Sequence, residues 1–155
     1  MLDRIANLCV LYSNGPIVIE MGTRQASQLQ NTMAKHNFYR YQRIETKYTS
    51  EKRPLIISVF FTPDMLKKYD YDPKKFIKLE GSSEPKTSRG VIEAFPPPKK
   101  DSIFIDFFSG VGLGISAAAA KGYNVYCNEF CKERLDKGIT KANKAIYENS
   151  LLGKQ

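Results

Sequence analysis

The chain has 155 residues, enough for one domain or for a small domain joined to part of another. Its 24 Lys and Arg against 16 Asp and Glu give a formal charge of +8, which points to an acidic partner, nucleic acid first. Hydrophobic residues at 42% and charged residues at 26% exclude wholesale disorder, and no apolar run reaches the ~18 residues that span a bilayer. The three cysteines, Cys9, Cys127 and Cys131, read as reduced and not as a disulfide framework, so the expected setting is intracellular, cytoplasmic or nucleoid-associated. With His36 as the single histidine, no metal site is expected.

In chain order, residues 8–21 hold two short apolar runs around Ser13-Asn14-Gly15-Pro16, the pattern of a β-hairpin. Thr23 is placed to start a helix over Arg24 to about Tyr41, with Ala26, Leu29 and Met33 on its apolar stripe. Residues 42–54 are polar and read as a loop. Leu55–Phe61 is a continuous apolar run of strand length, ended by Thr62-Pro63 and a helical turn to Lys68. Breakers punctuate residues 69–102, with a short helix over Ser88–Phe95 and a stiff Pro96-Pro97-Pro98 connector. The expected organisation is therefore a small basic β-α-β module over 1–80, a Pro-rich connector over 81–101 and a regular unit over 102–150. That last unit reads as strand 102–107, glycine turn 109–114, helix 115–121 closed by Gly122, strand 124–128 and helix 132–148.

The stretch that carries chemistry is Asp106-Phe107-Phe108-Ser109-Gly110-Val111-Gly112-Leu113-Gly114. A buried strand ends at an acid, and glycines then let the backbone approach a ligand where a Cβ would clash. Glu129 closes the next strand, where a carboxylate is placed to accept hydrogen bonds from a ribose diol. A nucleoside-containing ligand suits such a crevice. There is no Gly-Lys-Ser/Thr phosphate loop, and the dinucleotide fingerprint fails because Ile115 stands where glycine is required. The alternative reading of the same residues is a β-α turn whose glycines serve packing alone.

The pattern D-x-F-x-G-x-G, then Ala117–Ala120, Gly122 and Asn128-Glu129, resembles motifs I and II of S-adenosylmethionine-dependent DNA amino-methyltransferases, which act on adenine N6 or cytosine N4. Phe107 stands where that family usually has proline. The resemblance covers residues 102–147 and is with the permuted group, whose cofactor-binding unit comes last. It implies an α/β fold: a partial doubly wound, Rossmann-like β-α-β-α unit preceded by a small α+β module. It also implies S-adenosylmethionine as cofactor, with Gly110 and Gly112 beside its methionine part, Phe108 flanking the pocket, Glu129 on the ribose and Asp106 orienting the loop or the cofactor amine.

The family's catalytic turn, Asp/Asn/Ser-Pro-Pro-aromatic, is absent. Thr62-Pro63-Asp64 is the nearest segment, and a strand followed by a proline helix start explains it as well, so Asp64 is a weak catalytic candidate. Three readings stay open: a compact enzyme, which would be an S-adenosylmethionine-dependent DNA methyltransferase; a relative without activity; or a chain whose catalytic site a second protein completes. A non-enzymatic nucleic-acid-binding or regulatory protein, in a viral anti-restriction setting, is the competing class.

Charge is uneven: residues 1–60 carry a net +4, residues 61–100 +3 and residues 101–155 +1. In the basic front, Arg40, Arg43, Lys47 and Arg53 are interleaved with Phe38, Tyr39, Tyr41 and Tyr48. Cations that neutralise phosphates and rings that stack on bases make these four the expected nucleic-acid contacts.

Overall fold

A seven-residue run rich in β-branched and aromatic residues, Leu55–Phe61, forms the central strand of an antiparallel sheet in the computed structural model. The structure describes residues 1–46, 54–75, 90–110 and 112–153. The chain divides into two units, Met1–Pro73 and Lys74–Gln155.

The first unit runs α1 (Leu2–Tyr12), β1 (Ile17–Gly22), α2 (Thr23–Ala34), β2 (Tyr39–Thr46), β3 (Leu55–Phe61) and α3 (Pro63–Lys68), followed by a 3₁₀ turn at Pro73–Lys75. The strand order is β1-β3-β2, with β3 antiparallel to both neighbours. Every residue of β3 from Ile56 to Phe61 is buried, as expected of a strand covered on both faces. On one face Phe60 packs with Ala6 of α1, Leu29 and Met33 of α2, Ile17 and Phe38. On the other, Phe61 meets the rings of Tyr41, Tyr69 and Tyr71.

This unit corrects the expected β-α-β module in three places. Leu8–Tyr12 belongs to helix α1, not to a hairpin strand. Leu2, Ala6, Cys9 and Val10 recur at helical spacing and pack toward the Phe60 core, which outweighs the β propensity of five residues. The Ser13–Pro16 turn is real, since Ser13 Oγ donates to Gly15 O at 2.9 Å, but it joins a helix to a strand. The second helix stops at Ala34 and not near Tyr41, because the chain reverses through Asn37 at φ 64°. Residues 39–46, most of which were expected as loop, are strand β2. The breakers at 81–85 lie outside the described residues.

In the second unit, β4 (Ile103–Asp106) and β5 (Asn124–Cys127) pair in parallel, linked by α4 (Leu113–Lys121), and α5 (Lys132–Leu151) follows. This is the β-α-β-α order expected from the sequence, and the molecule as a whole is mixed α/β. The alanine run suits α4, and Gly122 at φ 104° ends it as a left-handed cap. Ile115, Ala119 and Ala142 form the core with Phe104, Val125 and Cys127. Residues 90–93 are helical, and Val91, Ile92 and Ala94 are buried. The proline segment is tied to the end of α4: Lys121 Nζ donates to Ile92 O at 2.9 Å, and Tyr123 OH donates to Pro96 O at 3.2 Å.

Candidate functional site

The carboxyl ends of two parallel strands leave room for a ligand, and here an acid stands at the end of one and just beyond the end of the other. Asp106 is the last residue of β4, and Glu129 lies two residues beyond β5. Asn128 N–H donates to Asp106 O at 2.9 Å and Ser109 N–H donates to Asn128 O at 3.1 Å, which stitches the two strand ends together. Asp106 Oδ1 accepts the Phe108 N–H at 3.0 Å and so shapes the first turn of the loop. Burial raises the Asp106 carboxyl above the usual carboxylate range. The Phe108 N–H pulls it back, and the Glu129 charge pushes it further up.

The Glu129 carboxylate ties two backbone segments together. Its Oε2 accepts Gly110 N–H at 2.8 Å and its Oε1 accepts Cys131 N–H at 3.2 Å. One carboxylate therefore fixes the glycine loop to the entry of α5. Each oxygen keeps a further lone pair, so hydroxyls of a ligand can still be accepted.

The glycines have separate jobs. Gly110 sits at φ 52°, and a Cβ there would meet nothing within 4 Å, so it faces open space. Gly112, at φ 83°, caps α4 and lies against α5, where a Cβ would come within 2.2 Å of Gly138 Cα. A Cβ on Gly114 would stand 3.2 Å from Asp106 Oδ2, so the acid also lies over the start of α4. Gly138 was not singled out from the sequence, because a glycine in the middle of a polar helix carries no signal until its neighbour across the packing is known.

Phe108 is 82% exposed, and Phe130, beside Glu129, is fully exposed. Two bare rings following two strand ends are unusual on a protein surface. Phe130 is a site candidate that the sequence reading passed over. A groove of about 540 Å³ with a mixed lining that includes Asp101, Asn124, Tyr126, Ile139, Asn143 and Ile146 lies elsewhere in this unit. None of Asp106, Phe108, Gly110, Gly112 and Glu129 lines it.

In the first unit Asp64 is exposed in the first turn of α3, where its charge complements the helix dipole. Thr62 Oγ1 accepts Met65 N–H at 3.1 Å, the N-cap of α3. Arg40 and Arg43 lie on β2, while Lys47 and Arg53 lie outside the described residues. Among the described residues, no group of three or more His, Cys, Asp or Glu is placed to hold a metal, and no helix is long and apolar enough to cross a membrane.

No protein-family profile and no curated protein matches the sequence. Solved structures do. The crystal structure of M1.HpyAVI is 18% identical and superposes with a TM-score of 0.66 over 92% of this chain and 81% of its own. The M1.HpyAVI–SAM complex is 16% identical, with a TM-score of 0.71 over 92% of this chain and 82% of that one. TTHA0409, provisionally a DNA modification methylase of Thermus thermophilus, is 16% identical, with a TM-score of 0.65 over 94% of this chain and 78% of its own. By structure, the chain resembles the S-adenosylmethionine-dependent DNA methyltransferases, and the likeness is one of fold.

Proposed function

We propose that this is a methyltransferase-related protein that binds S-adenosylmethionine at the Asp106–Gly110 loop and works with nucleic acid inside the cell. The observation that carries the reading is the Glu129 carboxylate, hydrogen-bonded to Gly110 N–H at 2.8 Å with open space over Gly110. The residues fit the cofactor. Glu129 has lone pairs left for ribose hydroxyls, Phe108 and Phe130 offer ring faces, and Gly110 admits a ligand against the backbone. Asp106 holds the loop through Phe108 N–H, and its second carboxylate oxygen could accept a cationic group of the ligand. The bound cofactor supplies an activated methyl group.

Transfer to a base also needs an acceptor amine held in line, its lone pair freed by an acid and a carbonyl. Asp64 is an exposed first-turn residue and takes no such role in this reading. The chain alone therefore transfers no methyl group, and a second protein completes the amine-binding site. Calorimetry with S-adenosylhomocysteine tests the cofactor step. Binding is expected in the wild type and is weakened by Glu129→Ala. The absence of heat and of any thermal shift at millimolar ligand refutes it and leaves the glycine loop with a packing role. A radiolabelled-methyl assay on DNA then tests activity: label transferred by the chain alone overturns the inactive reading, and label that appears only with an added protein supports the completed site.

A further inference from the structure

Strand β2 is not regular. Arg40 pairs with Phe60 of β3 and Gln42 pairs with Val59, so Tyr41 is an extra residue and β2 bulges there. Residues opposite each other in a ladder project to the same face. Tyr39, Gln42 and Ile44 thus share the face of Phe61, Val59 and Ile57. Tyr41 joins them, since its ring centroid is 5.7 Å from that of Phe61. Arg40, Arg43 and Glu45 fall on the opposite face, that of Phe60, Ser58 and Ile56. Strict alternation would have put Arg40 and Arg43 on opposite sides of the sheet. The bulge brings them together.

Two guanidiniums side by side at a sheet edge repel each other unless something anionic lies between them. Arg43 contacts Glu45 Oε2 at 3.4 Å through an exposed pair, which leaves most of its donors open. Arg40 is half-buried and, among the described residues, has no hydrogen-bond acceptor or ion-pair partner. Burial pulls its guanidinium below the usual value, and Arg43 pulls it further.

We propose that Arg40 and Arg43, aligned by the bulge at Tyr41, form a phosphate-binding pair for the sugar–phosphate backbone of nucleic acid. The proposal rests on the reading that nucleic acid is the partner and gives that partner a definite seat in the first unit. Guanidinium forks suit phosphate oxygens in a way that single ammonium charges do not. Glu45 competes with the phosphate for Arg43.

The test is fluorescence anisotropy of the full chain with a short labelled DNA duplex across a salt series. Arg40→Gln is expected to cut affinity about tenfold and to flatten the salt slope by ~0.9 for the lost phosphate contact. Arg134→Gln, which removes the same charge from the other unit, should do much less. Arg40→Lys keeps the charge but loses the fork, and it is expected to bind more weakly. Glu45→Gln should bind more tightly, and by more than Glu93→Gln, which alters net charge equally.

Duplex binding by the wild type that Arg40→Gln and Arg40→Lys leave unchanged overturns this pair while leaving nucleic acid as partner. A wild type that binds no duplex overturns both. Inorganic phosphate as competitor separates the sources of the anion. Displacement of duplex only at millimolar phosphate supports a backbone site, and tight phosphate binding without duplex binding overturns the nucleic-acid assignment. S-adenosylhomocysteine calorimetry on the same variants should be unaltered, which keeps a failure here distinct from a failure of the cofactor site.

Discussion

Gly112→Ala is the sharpest probe of how the second unit holds its loop. Two costs add. At φ 83° an alanine is forced into the left-handed region, at ~1–2 kcal/mol. Its Cβ would also lie 2.2 Å from Gly138 Cα and 3.0 Å from Gly138 C and O, all backbone atoms that no rotamer change can move. Forcing α4 and α5 apart costs a further ~1–3 kcal/mol, as overpacking does. Alanine recovers ~0.4–1 kcal/mol by restricting the unfolded chain. The expected net loss is about 1–4.6 kcal/mol, a large part of a domain's ~5–15 kcal/mol. Urea unfolding, with hydrogen exchange of the α4 amides to report on this unit, measures it. Two companions calibrate the reasoning. Gly110→Ala carries only the backbone cost, because nothing lies within 4 Å of its Cβ. Gly138→Ala meets Gly112 Cα at 3.1 Å but gains ~1 kcal/mol of helix propensity, so it should cost less than half as much as Gly112→Ala. If Gly112→Ala unfolds within about 0.5 kcal/mol of the wild type, the close packing of α4 on α5 is wrong.

Asp106→Asn tests the raised carboxyl. Between the ordinary value of 3.8 and its higher folded value, the native state binds more protons than the unfolded state, so stability falls as pH rises through that window. Asparagine keeps an acceptor for Phe108 N–H and removes that slope, and identical pH profiles for the two proteins would sink the argument. Ser58, 1% exposed in the middle of β3, has no partner for its Oγ among the described residues. Ser58→Ala should therefore raise stability by about 1 kcal/mol in thermal unfolding, and a loss of that size would reveal a hydrogen bond to the hydroxyl. Thr62→Ala removes the cap on Met65 N–H and should cost ~1 kcal/mol by urea titration, whereas no change would mean that Pro63 alone starts α3.

The sequence by itself determined the elements whose signal is local. Leu55–Phe61 had to be a buried strand, because six apolar residues in seven, five of them β-branched or aromatic, fit little else of that length. The Asp106 strand end, the glycine turn, the alanine helix with its Gly122 cap and the strand before Glu129 were likewise legible, since each step is decided by propensity or by a required φ. Tertiary structure decided the rest. Leu8–Tyr12 has strand-like residues, yet it is helical because Ala6 and its neighbours bury against Phe60, a contact some fifty residues away. Tyr39–Thr46 is strongly charged, and only pairing with β3 makes it a strand. Its spacing of apolar 39, 41 and 44 against charged 40, 43 and 45 matches neither period 2 nor period 3.6, and becomes intelligible only as a bulge. The site divides the same way. The glycines and acids raised the expectation of a ligand loop, but that Gly112 serves packing on Gly138 while Gly110 stays open depends on a helix whose approach no local pattern encodes.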